Sequence, residues 1–229
     1  MERVLEIRDL GLIGYGAALE IQEELVEARK RGEGADTLLL LEHTPVYTLG
    51  RNADEANVTA TGAELEARGI EVVQTGRGGD VTYHGPGQLV GYPILDLGAR
   101  GEGAVWYVGR LEQVMLKVLS EFGVEGRTDR KNRGVWVWDD KVGAIGVRIT
   151  RHITMHGFSL NVCPDLSHYS GIVPCGIRDK GVTSLERLVE GVTMEMVKPV
   201  VVKKFVEILD YSNASASLPG FGTEQREQA

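Results

Sequence analysis

The chain has 229 residues, 42% of them apolar and 25% charged, with a formal net charge of −8. That length can bury one large core or two small ones, the acidic balance argues against general nucleic-acid binding, and no stretch is long and apolar enough to span a membrane. Two cysteines, Cys163 and Cys175, are too few for a disulfide framework, and Met1-Glu2-Arg3-Val4-Leu5-Glu6 lacks the basic-then-apolar order of a signal peptide, so a reducing, cytoplasmic setting is expected.

Val4–Ile7 has the character of a first strand, and residues 15–31 carry the spacing of an amphipathic helix, with Glu20, Glu23, Glu24 and Lys30 on its wet side. Residues 37–41 form a continuous apolar run of strand length, followed by a short run over Val46–Leu49. A short helix is expected over residues 63–68 and a strand over Glu71–Gln74.

Gly76 to Gln88 contains five glycines, a proline, an arginine and a histidine, and is expected to be a structured loop walling a binding site rather than a helix or central strand. Residues 89–97 leave that loop as a strand in which Pro93 predicts an edge position or a bulge.

Residues 104–122 give the longest helical pattern, closed by Gly123. Residues 134–138 and 142–150 predict a hairpin around Asp139-Asp140, and residues 153–162 continue the strands. Thr183-Ser184-Leu185-Glu186 has the form of a capping box, and residues 193–209 form a last helix containing Pro199. Strands in runs with a few helices between them indicate an α+β fold, a mixed or antiparallel sheet flanked by helices. The domain is expected to span residues 1–210, with a small, polar, flexible tail over 211–229.

The glycine loop matches neither common phosphate-binding fingerprint. Starting at Gly76, the last glycine of the dinucleotide pattern is replaced by Val81, and the Gly176 to Gly181 spacing is followed by Val182 where a P-loop needs lysine. Cys175, between Pro174 and Gly176, sits on a constrained turn that can present its sulfur to a cavity; Cys163 reads as structural. A nucleophilic thiolate needs a neighbour that lowers its pKa, and Lys141, His84, His156 and His168 are the candidates. His156, Cys163, His168 and Cys175 could also be metal ligands, but their spacings match no common zinc module, and no metal is expected. A cysteine–histidine hydrolase is a further alternative, without a local signature.

Several long motifs together carry a family resemblance. Arg77-Gly78-Gly79-Asp80-Val81-Thr82-Tyr83-His84-Gly85-Pro86-Gly87-Gln88 closely resembles the signature of the lipoyl (octanoyl) transferases. Glu42 to Gly50, Lys141 to Arg148, His156 to Asn161 and Pro174-Cys175-Gly176 resemble its other motifs in the expected order, so that the likeness runs from about residue 4 to 209.

The resemblance implies the fold of the lipoate and biotin protein ligase catalytic domains. It also implies transfer of an octanoyl group from acyl carrier protein to the lysine of lipoyl domains, those of 2-oxoacid dehydrogenases and the glycine cleavage H protein, without a cofactor. By position, Cys175 matches the family's acyl-thioester nucleophile and Lys141 its lysine partner. Arg77, Gly78, Gly79, Asp80, Val81, Thr82, Tyr83 and His84, then Ala144, Ile145 and Gly146, then Gly157, Phe158 and Ser159, match its substrate-binding segments.

On that reading Val81, Tyr83, Ile145 and Phe158 are expected along the acyl slot, and His84 orients Lys141 or the substrate, or simply bonds the loop backbone. Backbone N–H groups of Gly78, Gly79 or Gly176 are the candidate oxyanion donors. Arg127, Arg130, Lys131, Arg133, Arg148 and Arg151 are expected to form a docking face for the acidic carrier protein. An ATP-dependent ligase of the same fold, or a non-catalytic binder of lipoyl domains or carrier protein, are the alternatives.

Overall fold

A computed structural model describes residues 3–173 and 180–217. The chain begins β1 (Val4–Ile13), α1 (Tyr15–Lys30), β2 (Asp36–His43), β3 (Val46–Leu49), α2 (Gly62–Arg68), β4 (Glu71–Gln74), β5 (Val81–His84) and β6 (Gln88–Ile94). It continues through α3 (Ala104–Glu121), β7 (Arg127–Thr128), β8 (Val135–Val137), β9 (Asp140–Thr150) and β10 (Ile153–Asn161). The last elements are β11 (Gly181–Val182), α4 (Leu185–Leu188), α5 (Met194–Ile208) and β12 (Asn213–Ser217).

The main sheet runs β12-β1-β2-β6-β10-β9-β8-β7, with β11 also paired to β9, while β4-β3-β5 form a smaller sheet beside it. β1 is parallel to both β12 and β2, and the pairs from β2 through β6, β10, β9 and β8 to β7 are antiparallel. This is the mixed sheet of an α+β domain.

Helices cover both faces of the main sheet, which explains the continuous apolar run of β2. Side chains alternate across a strand: Leu38 and Leu40 join the core under α3 and α5, while Leu39 and Leu41 pack with Ala18 of α1. A strand buried on both faces cannot alternate apolar with polar residues.

Four expectations are corrected. Val81–His84, expected as loop, is strand β5, paired antiparallel with β3; the glycine content of its flanks hid a run of alternating buried residues. β6 is not an edge strand, since it lies between β2 and β10. Pro93 has no N–H to donate, and the β6–β10 ladder stops at Gly91↔Phe158, so the proline sits where that ladder is interrupted. Thr154 replaces the missing ladder contact, its hydroxyl donating to Pro93 O at 2.6 Å and accepting from Leu95 N at 2.8 Å.

The third correction concerns the tail. Residues 213–217, expected to be flexible, form β12 against the outer edge of β1; residues 218–229 lie outside the described residues. Fourth, Thr183 is not a cap. Ser184 is the N-cap of α4 and makes no side-chain capping bond, while Thr183 belongs to the strand side, its N–H donating to Lys141 O. A complete capping box occurs instead at Thr61 and Glu64, at the start of α2.

The most consequential local feature is in β10. His156 has φ +57, a left-handed conformation that a non-glycine residue rarely adopts inside a strand. Alternation would place Met155 and His156 on opposite faces. Met155 packs with Val26 of α1, and the His156 ring lies 6.1 Å from the ring of Tyr92, which is also on the α1 face. The kink therefore turns both side chains to one side. It is accompanied by a close strand approach: a Cβ on Gly157 would stand 2.2 Å from Gly91 O and 2.6 Å from Pro93 Cδ.

Candidate active site

The Gly76–Asp80 segment is tied down on both sides. The Arg77 guanidinium is buried and donates to Thr48 O at 2.5 Å, to Thr48 Oγ1 at 2.8 and 3.1 Å, and to Gly78 O at 3.0 Å. Gly78 N donates to Val147 O at 3.0 Å, which joins the loop to β9. Asp80 accepts from Asn57 Nδ2 at 2.7 Å. Gly50 completes the anchorage, since a Cβ there would meet Gly79 O at 2.3 Å and Arg77 Nη1 at 2.8 Å.

Between this loop and strands β9 and β10 lies a cleft of about 550 Å³, part of it open to solvent. Its walls include Arg77, Gly79, Asp80, Val81, Thr82 and His84 from the loop and β5, Ala144, Ile145 and Gly146 from β9, and Gly157, Phe158 and Ser159 from β10. Three segments distant in sequence thus meet on one cavity, because β9 and β10 are a hairpin and the loop is bonded across it. Lys141 lines the same cleft and also a smaller hollow of about 320 Å³ that shares Thr82, Ala144 and Ser159 with it. The lysine stands at the junction.

Two of the expected residues lie elsewhere. Tyr83 does not line the cleft. It packs among Tyr47, Ile70 and Ile172 on the small sheet, its hydroxyl 2.6 Å from His168 Nδ1. The reason is alternation in β5, which sends Tyr83 into that core and leaves Thr82 and His84 against the cleft, while Val81 at the head of the strand touches both. Gly78 contributes its backbone to Val147, so its N–H is already committed and is not an oxyanion donor. Cys175 and Gly176 fall outside the described residues.

Lys141 Nζ donates to Arg133 O at 3.2 Å and sits 4.7 Å from the centre of the buried Trp136 ring. Lys180 Nζ is 4.6 Å from the same ring and forms an ion pair with Asp129 at 3.2 Å. Residues 180–183 come alongside Lys141: Val182 is its register partner and Thr183 N donates to its carbonyl.

The histidines of the cleft are neutral. Burial pushes His84 down to about 3, with further depression from His43 and Arg77. Burial also lowers His156 to about 3, assisted by Arg77 and Arg148, and His43 to about 4. Neither His84 nor His156 can then offer a positive charge to a thiolate. His168 belongs to a separate cluster with Tyr83 and Asp165. Of the thiolate-stabilising groups considered from the sequence, Lys141 is the cation on the cleft.

The tautomers follow from the hydrogen bonds. Gln88 Nε2 donates to Tyr83 O, Asn161 Oδ1 and the Tyr169 hydroxyl, so Gln88 Oε1 accepts from His84 Nδ1–H at 2.6 Å. His84 Nε2 is left as an acceptor. His43 Nδ1–H donates to Ile13 O at 3.1 Å, and its Nε2 accepts from the Tyr92 hydroxyl at 2.8 Å.

Sequence reading missed three walls of the cleft: Tyr15, Tyr92 and Arg133 as a lining residue. Tyr15 reads as the apolar start of a helix and Tyr92 as one more buried strand residue; only the tertiary fold brings them together. Arg133 had been assigned to carrier docking. It pairs with the buried Glu112 at 3.0 Å, while Arg127 binds Trp138 O and Asp139. Arg148 reaches back beside Gly76, where a Cβ would meet Nη1 at 2.9 Å. Arg130, Lys131 and Arg151 are exposed. Among the described residues, no group of three or more His, Cys, Asp or Glu side chains is arranged to hold a metal, and no helix is long and apolar enough to cross a membrane.

The model of the lipoyl protein ligase A/B catalytic domain matches residues 14–206. The chain belongs to that family. An octanoyltransferase from Acidobacterium capsulatum is 48% identical over 95% of both chains. The mitochondrial octanoyltransferase LIP2 of Arabidopsis thaliana is 48% identical over 81% of this chain and 79% of its own. At those levels of identity the family member described here is an acyltransferase.

The fold has more distant solved counterparts. A lipoate protein ligase from T. acidophilum with bound lipoic acid superposes with a TM-score of 0.69 at 16% identity, covering 95% of this chain and 90% of that one. The biotin protein ligase of Aquifex aeolicus gives a TM-score of 0.51 at 15% identity over 92% of this chain and 70% of its own. The ligase-type fold expected from the motifs is the fold observed.

Proposed function

We propose that this chain transfers an octanoyl group from octanoyl-acyl carrier protein to the lysine of lipoyl domains, through a thioester on Cys175. The observation that carries the reading is the cleft itself: the three segments matched to octanoyltransferases converge on one cavity, with Lys141 at its junction.

The chemistry needs no external energy source. The Cys175 thiolate attacks the carrier thioester, a carbon–sulfur bond to the carrier breaks, and the carrier leaves as its thiol. The acceptor lysine amine then attacks the octanoyl-Cys175 thioester, forming an amide and returning the Cys175 thiol. Lys141, as ammonium, favours the thiolate in the first half. As amine, it takes the proton released by the acceptor nitrogen in the second. The neutral His84, fixed by Gln88, presents an Nε2 lone pair to the same cleft and orients an N–H donor there.

The lipoyl-domain acceptor is supported by relatives named as octanoyltransferases and by a bipartite archaeal lipoate protein ligase described with its E2 lipoyl domain. The carrier-protein donor rests on the motif resemblance and on the exposed Arg130, Lys131 and Arg151. A cytoplasmic setting rests on the sequence composition.

The test is a transfer assay onto an apo lipoyl domain, with octanoyl-carrier protein as donor and no nucleotide. Amide formation is expected without ATP and is abolished in Cys175→Ala. An absolute ATP requirement with free octanoate as donor would instead identify a ligase.

A further inference from the structure

One end of the cleft has chemistry that an acyl chain does not need. His156 is 2% exposed and neither ring nitrogen has a hydrogen-bond partner. The Tyr15 hydroxyl, on the same cleft, is likewise buried, with the Thr75 side chain as its polar neighbour. A neutral imidazole carries one donor and one acceptor, and buried groups of this kind are normally satisfied, by water where no side chain reaches them. The left-handed φ of His156 is what turns this ring to the side of Tyr92 and Tyr15. A strained conformation that presents an unpartnered polar ring to a ligand cavity points to a role in that cavity.

The position along the cleft defines the role. His156 pairs in register with Val147, six residues beyond Lys141 on β9, so Lys141 and His156 stand ~20 Å apart along the strand. Lys141 is half-exposed at one end; His156 and Tyr15 are buried at the other. A peptide residue advances ~3.3–3.6 Å over three bonds, so an octanoyl chain spans roughly 9 Å. If the acyl group is held near Lys141, its methyl end points at His156.

We propose that His156 and Tyr15 form a polar stop at the closed end of the acyl cleft, which limits chain length by polarity as well as by space. The inference rests on the acyl-transfer reading above. An extra methylene pushed into this end packs against buried polar groups and offers them no partner, whereas a hydroxyl of the same size can donate to or accept from them. Sites that hydrogen-bond a substrate hydroxyl reject the analogue lacking it strongly, while apolar pockets discriminate a single methylene weakly.

The experiment compares two isosteric donors, nonanoyl- and 8-hydroxyoctanoyl-carrier protein, with octanoyl-carrier protein as reference. The native enzyme is expected to prefer 8-hydroxyoctanoyl over nonanoyl by roughly tenfold or more in kcat/KM. Tyr15→Phe removes only the hydroxyl and is expected to reduce that ratio about threefold. His156→Leu is expected to bring it to one or below, and Tyr15→Phe decides the matter if that variant fails to fold. Equal use of the two donors by the native enzyme, or a ratio unchanged in Tyr15→Phe, overturns the stop while octanoyl transfer still stands. Absence of octanoyl transfer by the native enzyme overturns the acyl-transfer reading and the stop with it.

Discussion

Lys141→Met lowers octanoyl transfer by about 10²–10⁴-fold, the range expected when a positioned proton-transfer group is removed. Methionine keeps an unbranched stem against Trp136 while removing the ammonium, so the variant is expected to fold normally. On the proposed mechanism both half-reactions should suffer, the first by loss of a charge that favours the thiolate and the second by loss of the base for the acceptor amine.

Lys141→Arg separates the two roles. Arginine retains the charge but does not deprotonate in proteins, so it should support formation of the acyl-enzyme and fail to pass the acyl group on. Single-turnover measurements of each half-reaction, with circular dichroism as the folding control, give the answer. Transfer within threefold of the native rate in Lys141→Met would remove this lysine from the chemistry.

The second large effect is on stability. His43, His84 and His156 are held at about 4, 3 and 3 in the folded protein against 6.5 when exposed. Lowered folded values mean that the unfolded chain binds more protons between those limits. Stability is therefore fully present above pH 6.5 and is lost as the pH falls towards the folded values. At pH 5 each of the three contributes a loss of up to ~2 kcal/mol, and their sum is a large share of the ~5–15 kcal/mol that holds a typical domain together. Urea unfolding at pH 7.5, 6 and 5 should show a midpoint that falls steadily. A midpoint constant between pH 7 and 5 would mean that these imidazoles are not buried as neutral groups.

The residues that sequence could place and those it could not differ in a physical way. The continuous apolar run of residues 37–41, the helical spacing of 104–122 and the hairpin at residues 135–150 are local signals, and each was legible. The loop motif stood out because its glycines serve a local need, Gly79 and Gly87 both having positive φ. β5 was not legible, since four residues between glycine-rich turns carry too little pattern to outweigh their surroundings. β12 was hidden by its composition; Asn213-Ala214-Ser215-Ala216-Ser217 becomes a strand because β1 offers an open edge.

Within the site, Lys141 stood out through its motif, and twelve of the fourteen positions expected from the sequence to bind substrate line the cleft, whose role is the one proposed above. The misplacement of Tyr83 came from treating consecutive residues as one surface when a strand sends them to opposite sides. Tyr15, Tyr92 and the orientation of His156 depend on which helix covers the sheet and on one left-handed residue. No local pattern encodes either. The same applies to the histidine charges: sequence offered three imidazoles as thiolate partners, and burial leaves two of them neutral on the cleft and the third in another cluster.

The central claim is that Cys175 carries the acyl group, and intact-mass analysis tests it most directly. The native protein, mixed with octanoyl-carrier protein in the absence of ATP and of any lipoyl domain, should gain the mass of one octanoyl group. Peptide mapping should place it on Cys175, labile to hydroxylamine as a thioester is. Addition of an apo lipoyl domain should then discharge the adduct onto its lysine. A protein that transfers octanoate while never gaining that mass, or that gains it equally as Cys175→Ala, would contradict the account.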